Sequence, residues 1–453
     1  MSVTEQLANF LVKTSFNDIP KEPISLSKRF FLDCLGTTIA GYEEEAGRII
    51  TKFIEEMGGT PESRLVGSGL FTSSVNAALA NGTMAHILDF DDTGFSHPTA
   101  CILPVLLALG DKSRLSGEEV LTAQVVGYEC FGKLAYGGRA YEATLRKRGY
   151  HPTPIWGTMA AAAAATKLLK LDENETRMAL GMAGSQAAGL VENFGTMTKG
   201  FHCGNAARAG LLSAMLVERG YKASLTVIEG DHGLYQAVLG EGNYDLSKVV
   251  GNLGESWEIV SPGLGMKRYP CCGGSLRAID AILQIIRENR VSYDQVDTVE
   301  VEMNPHLRDL LRFVRPTVGY EGKFSLEYIL AVAIMDGVVN IDSFSDEKVN
   351  SKEMREAIDN VKVVVRKDWA SSDWRGHTPV TVKMKDGSMH RNLVKNFKGH
   401  PKNPLENEEI FDKFRYCASR TLPKEKIETC ITLVMGLEDV KDISNLMDAV
   451  TAS

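Results

Sequence analysis

Two copies of His-Pro-Thr, His97-Pro98-Thr99 and His151-Pro152-Thr153, are the first residues in this chain whose types and spacing could do chemistry. In each, the proline pushes the histidine into extended backbone, which keeps its imidazole out of the helix that follows. Thr153 is a good N-cap and Pro154 a good first helical residue. His151 is therefore expected just outside a helix N-terminus, where the dipole and free N–H groups favour an anion. Ahead of the first copy stand three carboxylates in four residues, Asp89, Asp91 and Asp92, between apolar segments at 76–88 and 102–109. Acids packed that densely repel one another and lose hydration unless cations or hydrogen bonds offset them.

The cations that could meet them come later. Met197-Thr198-Lys199-Gly200-Phe201-His202-Cys203-Gly204-Asn205 reads as a glycine-punctuated loop leading into a helix over 206–216, with Asn205 as its cap. Lys199 and His202 would precede that cap and Arg208 would fall in the first turn, so charge and free N–H groups would converge on an anion. Read singly, Lys199 is an ordinary solvated loop lysine. Lys267-Arg268-Tyr269-Pro270 follows a breaker-rich connection at 261–265, where residues face an interdomain cleft; an exposed basic pair at a linker is an equal reading. Tyr328, after Lys323-Phe324-Ser325, is by itself a core tyrosine with a satisfied hydroxyl.

No GxGxxG opens a βαβ unit, and there is no Walker loop, HExxH or GxSxG elbow. The Asp89/Asp91/Asp92 cluster has carboxylates for Mg²⁺ or Ca²⁺, yet its spacing does not match a calcium loop, and no metal is expected. What remains is a site without a cofactor: two histidines, carboxylates, lysines and a tyrosine. That set suits proton abstraction next to a carboxylate. Imidazoles shuttle protons near neutral pH, while lysines, an arginine and helix N-termini hold substrate carboxylates and enediolate charge.

These residues need a scaffold of some size. The chain has 453 residues, which makes two domains the default. Hydrophobic residues at 44% and charged ones at 24% describe a globular protein, and a net charge of −8 with scattered Lys and Arg excludes a nucleic-acid binder. No apolar run reaches membrane-spanning length and residues 1–20 lack a signal-peptide pattern, so a cytoplasmic protein without membrane contact is expected. Eight cysteines, none in CxxC spacing, do not read as a disulfide framework or zinc site; vicinal Cys271-Cys272 reads as two small core or site-lining residues.

Helical patterning dominates the first 240 residues, with capping boxes at Ser2/Glu5, Ser116/Glu119 and Asp172/Glu175 and alanine-rich buried helices at 154–169 and 206–216. Beyond 265, helices at 274–288, 326–337 and 346–360 mix with strands at 298–303, 361–366 and 380–384, the last joined to 389–394 by the Lys385-Asp386-Gly387-Ser388 turn. Helical pattern returns at 406–419 and 424–437. The simplest architecture is mainly α: a large all-α helical domain built from both ends of the chain, 1–263 and 397–453, with an α+β lid domain inserted at 264–396.

Five blocks then fall into a familiar order. His86-Ile87-Leu88-Asp89-Phe90-Asp91-Asp92-Thr93 with His97-Pro98, Tyr150-His151-Pro152-Thr153 with Gly157-Thr158, and Phe194-Gly195-Thr196-Met197-Thr198-Lys199 with Gly204-Asn205-Ala206-Ala207-Arg208 resemble the MmgE/PrpD family. Lys267-Arg268-Tyr269-Pro270 and Phe324-Ser325-Leu326-Glu327-Tyr328 continue the resemblance, which covers almost the whole chain. It implies a helical domain with an inserted α+β lid, a homodimer, no obligatory cofactor, and a small polycarboxylate substrate. The family includes 2-methylcitrate dehydratase, cis-aconitate decarboxylase and iminodisuccinate epimerase activities. By position, the resemblance maps a decarboxylase-type site onto Asp89, Thr93, His97, His151, Lys199, Lys267 and Tyr328. It implies His97 and His151 as acid/base groups and Lys199 and Lys267 as carboxylate holders. Asp89 would orient a histidine or lysine, and Tyr328 would donate a hydrogen bond or proton. The expected reaction is dehydration of 2-methylcitrate or citrate to an aconitate-type product; decarboxylation of cis-aconitate and epimerisation of an iminodisuccinate-like dicarboxylate are the alternatives. Cys271-Cys272-Gly273-Gly274 departs from the pattern of relatives after Pro270, which bears on substrate size and polarity.

Overall fold

The structure is a computed structural model and describes residues 1–137, 141–369 and 376–452. It is mainly α. All three expected capping boxes form. Ser2 and Glu5 open the helix Val3–Lys13, Ser116 and Glu119 exchange bonds ahead of Gly117–Gly137, and Asp172 and Glu175 open Glu173–Gly184. No helix among the described residues is long and apolar enough to cross a membrane.

Two large hydrophobic cores hold most of the buried apolar side chains among the described residues, with a small third cluster around Ile87, Leu88 and Phe90. The larger gathers buried side chains from Leu7 to Met266 and again from Leu405 to Val450, so both ends of the sequence share it. The smaller runs from Tyr269 to Phe397, with Phe194 of the helical body reaching into it. Its backbone is a four-stranded sheet in the order 361–365, 296–303, 380–384, 389–392; the first pair is parallel and the others antiparallel. The amphipathic helix Leu276–Asn289 and the buried helix Leu326–Asp336 cover it. The expected helix over 346–360 is two, Asp346–Asn350 and Lys352–Asp359, because Ser351 is extended and its side chain caps the second.

Four helices of the larger core position the site: Ser74–Ile87, Pro98–Ser113, Pro152–Leu168 and Thr198–Glu218. The last differs from expectation. It begins at Thr198 instead of 206, so Gly200 and Gly204 lie inside a helix. A Cβ at Gly204 would stand 2.2 Å from the Leu79 carbonyl oxygen and one at Gly200 would stand 2.8 Å from Ile87 Cδ1. These glycines let two helix backbones approach closely; they do not make a loop. The second His-Pro-Thr helix also starts two residues earlier than expected, at Pro152 instead of Pro154. Pro98 and Pro152 each occupy the first helical turn, which makes His97 and His151 themselves the N-cap residues.

Candidate active site

Asp89 follows the helix Ser74–Ile87 with a left-handed backbone, φ 51°. Outside glycine that conformation is uncommon, although Asp tolerates it better than most residues. Three lysines from far along the chain hold it. Lys323 Nζ donates to the carbonyl oxygens of Leu88 and Pro270, both at 2.9 Å. Lys267 Nζ donates to the Asp89 carbonyl at 2.9 Å, and Lys413 Nζ to those of Phe90 at 2.6 Å and Lys267 at 2.8 Å. Three successive carbonyls, 88 to 90, are thus each tied to a buried ammonium. A short antiparallel ladder adds to this, pairing Asp92 with Met266 and Thr93 with Gly265.

The Asp89 side chain lies at the centre. Its Oδ1 accepts from Lys199 Nζ at 3.2 Å and from Lys267 Nζ, and lies 3.9 Å from His97 Nε2. Its Oδ2 is buried with no hydrogen-bond partner among the described residues. Burial alone would raise this carboxyl, but the two ammonium groups outweigh it and hold Asp89 well below the usual carboxylate range. Lys267 gains in return: burial opposes its charge and Asp89 more than restores it.

His86 joins the group from the last turn of the same helix. Its Nδ1 lies 2.9 Å from Asp91 Oδ1 and its Nε2 lies 2.5 Å from Lys199 Nζ. Burial works against a charged imidazole here, yet Asp91 prevails and lifts His86 to about 9. The Lys199–His86 contact is a hydrogen bond between the two nitrogens, one donating to the other.

His97 has the opposite character. Its Nδ1 stands 2.7 Å from the Asp92 carbonyl oxygen and 3.3 Å from Asp91 Oδ2, both acceptors, so Nδ1 carries the hydrogen and Nε2 is left with its lone pair toward the cleft. Burial, then Lys267, push His97 down to about 3. It rests as a neutral base. Asp91, between His86 and His97, stays ionised because those two rings outweigh its burial. Asp92 is buried beside Asp91 and is pushed well up; it bonds the backbone N–H of Thr99 at 3.0 Å.

His151 Nδ1 faces His202 Nδ1 at 3.0 Å, one donating to the other. Burial and then Lys199 depress both, His202 to about 4. The edge of His151 meets Phe194 with ring centroids 4.7 Å apart.

A cleft of about 50 Å³ joins these groups between the two cores. Asp89, Thr93, His97, His151 and Lys199 line it from the helical side, with Arg146 and Phe194. Cys272, Gly273, Gly274, Arg277 and Phe324 line it from the other. Four of the residues expected at a site lie elsewhere. Lys267 is wholly buried behind Asp89, with no face on the cleft. His202 backs His151 from behind. Arg208 lies in the third turn of its helix, because that helix starts early, and donates to Asn205 Oδ1 at 3.3 Å. Tyr328 is turned into the smaller core by the Ser325 cap, where its hydroxyl bonds the Ser343 carbonyl.

One ligating atom from each of His86, Asp89, Asp91 and His97 lies within 4.8 Å of the others, a spacing that a metal ion could use. A cation entering there would have to displace the lysines from Asp89 and the imidazole protons from Asp91.

Residues 5–247 match the MmgE/PrpD N-terminal domain, and residues 269–439 match the MmgE/PrpD C-terminal domain. The chain belongs to the MmgE/PrpD family. It is an enzyme of MmgE/PrpD lyase type. Among relatives, it is 29% identical to the cis-aconitate decarboxylase of Homo sapiens, covering 98% of this chain and 94% of that one. It is similarly 29% identical to the protein of that name from Mus musculus, covering 98% and 92%. A cis-aconitate decarboxylase of Aspergillus terreus is 28% identical, covering 98% and 95%. The structure of this MmgE/PrpD enzyme places His86, to which the sequence assigned no role, between Asp91 and Lys199.

Proposed function

We propose that this enzyme decarboxylates an unsaturated tricarboxylate of the cis-aconitate type, in preference to the dehydration that the sequence favoured. The shared name of relatives aligned over 98% of the chain carries the reading. The site supports it. In this reaction the bond from a CH₂ carbon to its carboxylate breaks and CO₂ leaves. The released pair forms a new C=C bond, and the far carbon of the old double bond takes up one proton. His97 Nε2 is the atom to deliver it. At rest burial and Lys267 keep that nitrogen bare, but a trianion in the cleft reverses the field and draws a proton onto it. Phe194, Phe324 and Phe397 give the departing carboxylate a poorly solvated wall, and its charge vanishes as CO₂ forms. A cleft of about 50 Å³ is far below the ~300 Å³ at which small-molecule sites begin, so the two cores must part to admit substrate.

NMR in D₂O tests the reaction. Cis-aconitate should give itaconate carrying one deuterium at its CH₂ between the double bond and the carboxylate. Persistence of cis-aconitate, with water lost from citrate or 2-methylcitrate instead, would overturn the proposal in favour of dehydration. Deuterium wash-in to iminodisuccinate without loss of CO₂ or water would favour epimerisation.

We also propose a homodimer. Ile49, Phe53 and Met57 repeat at i, i+4 and i+8 on the helix Glu45–Met57 and are 55%, 49% and 56% exposed, an apolar stripe suited to a second copy. Light scattering should show a dimer that Phe53→Glu converts to monomer.

A further inference from the structure

We propose that Arg146 and Arg277 determine specificity in this cleft: two guanidinium groups, one from each side, that bind the substrate carboxylates which the lysines cannot reach. The inference rests on the tricarboxylate reading above and extends it. Of the two lysines expected to hold carboxylates, Lys267 is wholly buried and directs its bonds to the Asp89 carbonyl and carboxylate. Lys199 faces the cleft but is shared with His86 and Asp89. That corner therefore offers a polyanion one ammonium edge, while a tricarboxylate brings three negative charges into a cleft too closed for water to screen them.

Among the described residues, the other cations that line the cleft are the two arginines. Arg146 comes from the helix Tyr141–Lys147 of the helical body, and its guanidinium lies 5.9 Å from the centroid of Phe194. Lys199 Nζ lies 5.5 Å from the same ring, so Phe194 spaces the ammonium and the guanidinium around one apolar plate. Arg277 stands in the first turn of the helix Leu276–Asn289 on the lid. Its Nε donates to the Lys395 carbonyl at 2.7 Å and its head packs 5.8 Å from the Phe397 centroid, which fixes the plane of the guanidinium. Gly273 brings that segment in: a Cβ there would stand 2.7 Å from Thr93 Oγ1, so the lid backbone rests against the helical body just ahead of Arg277. A planar fork matches a carboxylate with two parallel hydrogen bonds, which an ammonium cannot do. Because Arg146 and Arg277 sit on opposite bodies, a substrate held by both also draws the lid shut.

Calorimetric binding of two unreactive probes tests this. Propane-1,2,3-tricarboxylate carries three carboxylates; methylsuccinate is the same skeleton with one terminal carboxylate removed. The wild-type protein should bind the first about 10- to 100-fold tighter, the worth of a charge-assisted pair. Arg146→Gln and Arg277→Gln should each erase most of that preference, because the tricarboxylate loses one of three pairings while methylsuccinate can turn to keep its two carboxylates on Lys199 and the remaining arginine, its affinity falling by no more than about threefold. Arg→Lys at each position, which keeps the charge and loses the fork, should fall between; it also replaces any Gln variant that loses its cooperative melt. Absence of the preference in wild type, its survival in both Gln variants, or equal weakening of both probes would each overturn the proposal. The two readings fail separately. Collapse of the preference without itaconate formation sinks the reaction and keeps the clamp, whereas itaconate formation with the preference intact in the variants does the reverse.

Discussion

The Nδ1 atom of His97 lies 2.7 Å from the carbonyl oxygen of Asp92, and that contact sets the tautomer of the ring. A carbonyl can only accept, so the hydrogen stays on Nδ1 and the lone pair of Nε2 is presented to the cleft. Asp92 is itself paired with Met266 across the short ladder, so the connection between the two cores bears directly on the orientation of the base. Removal of the ring should therefore remove chemistry more than binding. His97→Gln is expected to lower kcat by about 10²- to 10⁴-fold with tricarboxylate affinity within about threefold of wild type. Comparison of turnover with calorimetric binding of propane-1,2,3-tricarboxylate checks this; near-normal turnover would remove His97 from the mechanism.

The proton that Asp91 holds on His86 predicts an alkaline limb. His86 is held up at about 9 against burial by Asp91, so it keeps its proton through neutrality and loses it as pH rises through about 9. The resulting loss of positive charge beside Asp89 should lower kcat/KM above that pH, while His97 and His202, at about 3 and about 4, add no limb between pH 5 and 8. The profile for His86→Gln should lack the break near 9. An unchanged break in that variant would assign the limb to another group.

Lys267 should behave as a structural partner of Asp89 instead of a substrate ligand. Both charges are buried and face each other, so removing Lys267 leaves the buried Asp89 with Lys199 as its one ammonium partner; Lys267→Met should cost about 3 kcal/mol of stability in chemical unfolding. The double variant Asp89→Asn/Lys267→Met should recover part of that loss, because neither charge is then stranded. Additive losses would contradict the pairing. A fully stable Lys267→Met with raised KM would instead restore the expectation of a carboxylate-binding lysine.

Much of the site was legible where chemistry is local. The His-Pro pairs announced helix N-termini, and Ser2, Ser116 and Asp172 announced theirs, because a cap and its partner lie within one turn of sequence. Reading failed where the determinant was distant. Gly200 and Gly204 look like loop residues until Leu79 and Ile87 are known to press against them, and with the wrong helix start came the wrong place for Arg208. The anchoring of carbonyls 88 to 90 by Lys267, Lys323 and Lys413 joins segments hundreds of residues apart and leaves no periodic trace. Tyr328 was placed by its family block, whereas the cap at Ser325 turns it inward. Arg146 and Arg277, which face the cleft together with Lys199, belonged to no block at all.

A buried group outside the site gives a last, independent expectation. Glu129 Oε2 accepts the backbone N–H of Glu258 at 2.8 Å, and Lys133 Nζ lies 3.6 Å from Glu129 and 3.1 Å from Glu258. One ammonium serves two carboxylates, and burial raises Glu129 to about 7. Because the folded protein holds this proton more tightly than the unfolded chain, stability falls as pH rises from about 4.5 to about 7 and is flat beyond, with the charged carboxylate then buried at a cost of up to about 3 kcal/mol. Glu129→Gln keeps an oxygen for the Glu258 N–H and cannot ionise. It should therefore match wild type near pH 4.5 and become the more stable protein by about 2–3 kcal/mol at pH 8, read as a growing gap in denaturant midpoints. A gap that shrinks with rising pH would mean that Lys133 stabilises the ionised Glu129 by more than burial penalises it.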